Sequence, residues 1–342
     1  AATSGDSSAA GATTLDPTIT TAVTQLLTQR SSALARADAA AWAATVAEPS
    51  SADGRRELAA FDTLQTLGVR SLSIGPVTTT AWATAPATAT AVVTLGHQIP
   101  GFDRAERTSR RTVTLEQLPG LGWRIRSWLG PADRWEVFDL LGAQVVRSAE
   151  ALVVGSAPIE ALQAQLTAAH TAQQQVAAAL DRPAGAAVIV APATATEAAH
   201  LIGRSDPAAI EQVAATTIGD RAPGQAAAAD RVVLNPAAVD RLTETGRRVV
   251  LTHELVHVTL RASTGHDLPP WLSEGVAEWV AFTGVDLPVT VVAARLLDQV
   301  RASGPPAELP GPSAFDTTSG DLATAYQQAW LAVSRLAAID SG

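Results

Sequence analysis

The chain has 342 residues, a hydrophobic fraction of 47% and a formal net charge of −9. It is too long for one ordinary hydrophobic core, so we expect two domains. The negative charge, without any Lys/Arg-rich run, argues against nucleic acid or an anionic membrane as the main partner. The lack of Cys excludes disulfides, thiolate metal ligands and a cysteine nucleophile. No stretch approaches about 18 uninterrupted apolar residues, so the sequence predicts no transmembrane helix.

Residues 1–14 (AATSGDSSAAGATT) are small and polar, which predicts a flexible tether. A start without Met on such a tether is what a processed export signal or a lipid anchor upstream of the chain would leave, and a trimmed expression fragment would look the same. All 24 basic residues are Arg, Met is absent and Ala is abundant, which indicates a high-GC bacterial genome. We therefore expect an extracytoplasmic bacterial protein, secreted or anchored to the cell envelope.

Residues 15–135 predict an accessory domain of the α+β class. Apolar residues recur at helical spacing over 15–46 and 55–67, and from Val69 the period changes towards two. The alternating stretches lie at 69–74 and around 78–84, 89–97, 110–118 and 122–129. This order and length of elements resembles the cystatin-like, nuclear-transport-factor-2-like cone fold. The resemblance implies helices packed on a curved antiparallel sheet.

Polar residues within this domain are interpreted as surface features. Four arginines lie close together beside two acidic residues, which is typical of a solvated hairpin. These residues are Arg104, Arg107, Arg110 and Arg111, with Asp103 and Glu106. His97 is expected at a turn or at the rim of the sheet.

The second domain is predicted over 136–342, with several helices and a small sheet. Its apolar runs and Ala-rich segments predict a long helix, short strands, a further helical segment and a final helix. The helices are expected at 158–181, 195–202, 288–302 and about 320–339, and the strands at 186–191, 211–218 and 230–234.

The stretch His253-Glu254-Leu255-Val256-His257 carries the strongest functional signal. Two imidazoles four residues apart lie one turn apart on the same face of a helix, where both can bind one metal ion. H-E-x-x-H on a helix is the motif of zinc metallopeptidases, in which the glutamate is the general base. Two buried histidines with ordinary hydrogen bonds are the alternative.

A catalytic zinc needs a third protein ligand and an open fourth position. The residues after His257 lack the third His of the metzincin pattern. A glutamate on a second helix is the remaining common choice. The stretch 271–279 (WLSEGVAEW) predicts such a helix after Pro269-Pro270, and Glu274 within it is placed to be the ligand.

HELVH together with WLSEGVAEW resembles the gluzincin peptidases, especially the bacterial peptidase-MA-like group. The resemblance implies that His253, His257 and Glu274 bind Zn²⁺ and that Glu254 is the general base. It further implies that Glu278, one turn after Glu274, hydrogen-bonds the first His and holds its tautomer. A solvated surface charge is the alternative for Glu278.

The resemblance also has implications for the surrounding elements. It implies a thermolysin-like, mostly helical catalytic domain with a small sheet. The segment 230–236 would form the edge of that sheet and hold a peptide by strand addition, with an inner strand as the alternative. Tyr326 would donate a hydrogen bond to the oxyanion, with an ordinary packing tyrosine as the alternative. His266 is a weaker candidate for the same role.

We therefore expect zinc-dependent hydrolysis of a peptide or protein substrate. Sixteen residues separate His257 from Glu274, fewer than in related aminopeptidases, so the linking loop should be tighter. Without Met, the chain cannot contain the G-x-M-E-N motif by which those aminopeptidases hold a free amino terminus. An endopeptidase is the better expectation. The alternative is a zinc-containing binding or scaffold protein of the cell envelope that hydrolyses nothing.

Overall fold

The computed structural model describes residues 17–84, 87–220, 225–264, 268–316 and 319–340. Within these ranges the protein is a mixed helix–strand fold with two small sheets, consistent with the α+β class. The predicted tether at 1–14 and His266 lie outside the described residues. None of the described helices has both the length and the apolar character that crossing a bilayer requires.

The first part of the chain packs helices on one face of an antiparallel sheet. The elements are α1 (Pro17–Arg36), α2 (Ala39–Ala43), α3 (Ala52–Leu67), β1 (Ser73–Thr84), β2 (Ala87–His97), β3 (Arg107–Leu118) and β4 (Gly122–Ser127). The strands lie side by side in chain order. Alternate residues of β2 and β3 are buried, so their inward face packs on the helices and the outward face stays polar.

The second sheet is mixed, with the spatial order β5-β6-β7-β9-β8. Its strands are β5 (Gln144–Arg147), β6 (Ala151–Gly155), β7 (Ala187–Val190), β8 (Ala215–Ile218) and β9 (Arg231–Leu234). Strands β6, β7 and β9 run parallel, and β5 and β8 pair antiparallel at the two sides. Helix α4 (Ile159–Leu180) connects β6 to β7, and α5 (Ala195–Leu201) follows β7.

This sheet is buried on both faces. Leu152 and Val188 belong to the hydrophobic cluster that also contains the helices and first sheet. Their neighbours Val153 and Ile189 belong to a second cluster, with α4 and the later helices. Successive side chains of a strand point to opposite faces, so one sheet supplies two cores. The first cluster therefore continues past residue 135, where the sequence predicts the domain boundary.

The last part of the chain is helical. It contains α6 (Pro236–Val239), α7 (Glu244–Ser263), α8 (Pro270–Phe282), α9 (Val289–Val292), α10 (Ala294–Ser303) and α11 (Leu322–Asp340). Helix α8 lies between α7 and α11. Gly275 allows the close approach of α11, because a Cβ atom at this position would lie 2.6 Å from the carbonyl oxygen of Ala329.

The expectation that 230–236 forms the edge of the sheet is wrong. Residues 231–234 form β9, an inner strand that is buried at all four positions and pairs with β7 and β8. Strand β8 precedes it in the chain and pairs antiparallel along its outer side, so β8 is the edge among the described strands. A short apolar run is compatible with either position, and the sequence left both open.

The prediction of a solvated hairpin is also wrong for three of its six residues, namely Arg107, Arg111 and Asp103. Arg107 and Arg111 are buried, and they form ion pairs with Glu136 (2.8 Å) and Asp139 (2.7 Å). Both arginines lie on the inward face of β3, which they share with Val113. Burial alone would raise the pKa of Glu136, but the charge and hydrogen bond of Arg107 outweigh it and lower that pKa to about 2.

His97 is the last residue of β2, which agrees with the expected position at the rim of the sheet, but its side chain is only 2% exposed. Burial lowers its pKa to about 4. Close to it, the carboxylate of Asp103 accepts hydrogen bonds of 2.6 and 2.9 Å from the guanidinium of Arg231. This buried pair ties the loop after β2 to the first residue of β9, and thus joins the two sheets.

We predict that Asp103→Ala destabilises the protein strongly. The substitution would leave the Arg231 guanidinium, which is 1% exposed, buried without its counter-charge. The free energy of unfolding should fall by about 3–5 kcal/mol, measured by urea denaturation. The exposed pair of Asp298 and Arg301 provides the control. Asp298→Ala should change stability by less than about 0.5 kcal/mol, and equal losses in both variants would contradict the prediction.

Candidate metal centre

Helices α7 and α8 carry the candidate ligands. Helix α7 begins after Thr243, whose side chain accepts a hydrogen bond from the backbone N–H of Gly246. Helix α8 begins with Pro270, whose backbone suits a first helical turn. Its far end is held by Gln175 of α4, which donates to the carbonyl of Val280 over 2.6 Å. Both helices contribute side chains to the hydrophobic cluster on the same face of the second sheet.

Three ligand atoms converge between these helices. The Nε2 atoms of His253 and His257 are 3.0 Å apart, and Glu274 Oε2 lies 3.1 and 3.2 Å from them. Around a tetrahedral zinc with bonds of about 2.0–2.1 Å, neighbouring ligand atoms are about 3.3 Å apart. A proton can bridge only one side of this triangle at a time, whereas a cation can bind all three atoms. The three residues could therefore hold a metal ion.

The other nitrogen of each imidazole has its own partner. His253 Nδ1 lies 3.0 Å from Glu278 Oε1, the contact that the resemblance implies for this position. His257 Nδ1 lies 3.3 Å from Ser273 Oγ, a partner that sequence reasoning missed. The only feature of the sequence that could have indicated this contact is the position of Ser273 directly before Glu274. Both contacts orient the rings with Nε2 towards Glu274.

The imidazoles and carboxylates of this site shift each other's pKa values. Burial opposes a charge on His253, but hydrogen bonds to Glu274 and Glu278 outweigh it and raise the His253 pKa well above its ordinary value. Burial would likewise raise the pKa of Glu274, yet hydrogen bonds from His253 and His257 lower it. The two shifts have one cause, since the carboxylates of Glu274 and Glu278 lie within hydrogen-bond distance of the imidazoles.

Glu254 lies beside the triangle and is 7% exposed. Its carboxylate oxygen Oε2 accepts a hydrogen bond of 2.6 Å from the hydroxyl of Thr217, on the edge strand β8. Sequence reasoning missed Thr217 entirely. It lies 37 residues before Glu254, and no motif marks it.

Tyr326 reaches the site from α11. Its ring centroid lies 5.9 Å from that of His253 and 5.5 Å from that of Phe315. Burial raises the pKa of the Tyr326 hydroxyl, and the negative charges of Glu274 and Glu254 raise it further. The hydroxyl therefore stays protonated and can donate a hydrogen bond.

The site opens into a cleft of about 640 Å³ that runs between β8 and α7. Leu242, Val249 and Val250 line it before His253 in the chain, and Leu260 and Leu268 line it after His257. Phe315, Leu322 and Tyr326 form part of the opposite wall. The ligand triangle is thus accessible from a groove rather than enclosed in the core, as a site for an external substrate requires.

No protein-family model, curated protein or solved structure matches the chain. The chemistry and geometry of the cleft are therefore the observations that bear on its function. A fold alone would not decide the function, because function belongs to the site.

We predict that the metal affinity of this site rises with pH. Because the His253 pKa is raised, the ring is protonated in the metal-free protein at neutral pH and must lose that proton before Nε2 can bind a cation. Below the raised pKa, each released proton should strengthen binding about tenfold per pH unit. Calorimetric titration with Zn²⁺ in buffers of different ionisation enthalpy counts the released protons.

Glu278→Gln provides the comparison for this experiment. The variant removes one carboxylate that stabilises the proton on His253, so it should release fewer protons at the same pH. An affinity that does not change from acidic to neutral pH would contradict the prediction.

Proposed function

We propose that the protein is a zinc-dependent peptidase of the gluzincin type. The observation that carries this proposal is the convergence of His253, His257 and Glu274 within 3.2 Å, next to the carboxylate of Glu254. Structural zinc sites usually have four protein ligands. Among the described residues the group that could hold a metal contains three, which is the number found at catalytic sites. A structural site would also have no use for Glu254.

In this proposal His253, His257 and Glu274 hold the ion. Zinc bound there would supply Lewis-acid polarisation of the scissile carbonyl and would lower the pKa of water towards about 7. The Glu254 carboxylate takes the proton from the attacking water and passes it to the leaving amine. General acid–base transfer of this kind contributes about 10²–10⁴-fold in rate.

The substrate would be an extended peptide paired with β8. The backbone N–H of Asn235 donates to the carbonyl of Ala214, so Ala214 faces the inner strand. Backbone groups alternate along an antiparallel pair, so Ala215 and Thr217 direct theirs to the outer edge, along the cleft. Main-chain pairing of this type accepts many sequences, which suits an endopeptidase. This assigns to β8 the role that the resemblance implied for 230–236.

Tyr326 would stabilise the developing oxyanion. Its hydroxyl is protonated, it lines the cleft, and its ring lies against that of His253. Donors aimed at a developing charge act most strongly where water is excluded. The packing of α11 on Gly275 determines how closely Tyr326 approaches the site.

We predict that Glu254→Gln keeps zinc and loses most of its hydrolytic activity. The amide preserves the size of the side chain but cannot take a proton, so kcat for a quenched fluorescent peptide should fall about 10²-fold or more. Zinc content by atomic absorption should stay near one per chain. Glu274→Ala is the matched variant, which should lose most of the zinc.

The outcomes of this experiment separate the candidate functions. Full activity in Glu254→Gln would eliminate the assignment of the base. A wild type that binds one zinc and cleaves no peptide in a diverse library would favour a zinc-containing binding or scaffold protein. No zinc after reconstitution would eliminate the metal site.

We predict that Tyr326→Phe lowers kcat while zinc content stays unchanged. The ring keeps its contacts with His253 and Phe315, so only the hydrogen-bond donor is lost. The loss of one such donor costs about 10²-fold or more in kcat where it serves the oxyanion. A kcat equal to that of the wild type would mean that Tyr326 is an ordinary packing residue.

A further inference from the structure

The side chain of Thr217 is the contact that the edge strand makes with the Glu254 carboxylate. Its Oγ1 donates to Glu254 Oε2 over 2.6 Å and lies 3.3 Å from the backbone oxygen of the same residue. The shorter distance is typical of a charge-assisted bond between a hydroxyl and a carboxylate. Within the described ranges of the chain, no other side chain donates a hydrogen bond to this carboxylate. One hydroxyl from another element therefore holds Glu254.

This hold matters because a glutamate side chain is long and flexible. Ordering it removes about 1.5–2 kcal/mol of rotamer freedom. A general base must also lie within about 2.6–3.2 Å of the proton that it takes. Glu278 orients His253 and Ser273 orients His257. Thr217 does the same for Glu254, which lies between them in the chain. Because the hydroxyl engages Oε2, Oε1 stays available for the proton.

The position of Thr217 relative to α7 is itself well defined. Arg261, one turn after His257, donates from Nη2 to the carbonyl of Gly219 over 2.9 Å. The same guanidinium binds the carboxylate of Asp230 at 2.9 and 3.1 Å. These contacts tie the end of β8 and the start of β9 to α7. The backbone that carries the Thr217 side chain is thus held in place relative to α7.

We propose that Thr217 is a positioning residue that holds the Glu254 carboxylate in its reactive orientation. The backbone of Thr217 faces the outer edge of β8, where an extended peptide would pair, while its side chain binds the base. A single residue would thereby align the bound peptide and the base. This inference rests on the proposed peptidase function.

The kinetic test compares Thr217→Val with Thr217→Ser in the full zinc-loaded chain. Valine keeps the β-branched shape of the strand residue and removes the hydroxyl, whereas serine keeps the hydroxyl. In Thr217→Val, kcat for a quenched fluorescent peptide should fall at least about tenfold, while KM stays within about twofold. Thr217→Ser should stay within about threefold of the wild-type kcat. Both variants should keep the wild-type zinc content.

Two kinetic results would overturn the proposal. One is a kcat of Thr217→Val equal to that of the wild type. The other is a Thr217→Ser variant as slow as Thr217→Val, because the hydroxyl would then have no effect on the rate.

A second measurement needs no catalysis. In the metal-free protein, Thr217→Val should lower the urea midpoint of unfolding relative to the wild type. In a protein that already carries Glu254→Met, where the acceptor is gone, adding Thr217→Val should leave the midpoint unchanged. Equal shifts in the two backgrounds would overturn the proposal. If the wild type cleaves no peptide, the peptidase function fails, and this double-mutant cycle still decides whether Thr217 holds Glu254.

Discussion

Burial of the second sheet on both faces is the constraint on which the rest of the structure depends. The face that carries Val153 and Ile189 packs on α4 and α7, and the opposite face packs on the helices and sheet that precede it. Helix α7 cannot slide without exposing the apolar side chains that join it to this sheet. Its register is therefore held by burial, at about 25 cal/mol for each Å² of apolar surface. The positions of His253 and His257 are therefore fixed by the packing of α7 on the sheet.

Helix α7 serves both the core and the site because its faces differ. Leu251, Leu255 and Val258 recur at helical spacing and enter the second core. His253 and His257 occupy another face, where α8 approaches with Glu274. Helix α8 can lie between α7 and α11 because Gly275 has no side chain. Core and site are thus two consequences of one helical periodicity.

The sequence predicted the parts of this arrangement that local patterns encode. Helical periodicity located α4 and α11, and the H-E-x-x-H motif predicted that His253 and His257 lie on one face of a helix, which is α7. The sequence could not decide whether β8 or β9 forms the edge of the sheet. A short apolar run is compatible with an edge strand and with an inner strand, and the pairing depends on strands that are distant in the chain. The burial of Arg107 could have been predicted, because it lies an even number of residues from Val113 and therefore on the same face of β3. The charge of Arg107 instead led to the prediction of a solvated residue. Its partner Glu136 lies 29 residues away in the chain, so no local pattern indicated the ion pair.

The charge balance of the site links stability to chemistry. Glu254, Glu274 and Glu278 surround the imidazoles of His253 and His257 in a buried space, which is costly unless positive charge is present. A proton on His253 would meet part of this need, because hydrogen bonds to Glu274 and Glu278 raise the pKa of that imidazole. A divalent cation would meet it more fully, and at a concentration of about 100 times Kd it would add roughly 2.7 kcal/mol to stability. Glu274 and Glu278, which create this demand for positive charge, are thus the same groups that contact the His253 ring.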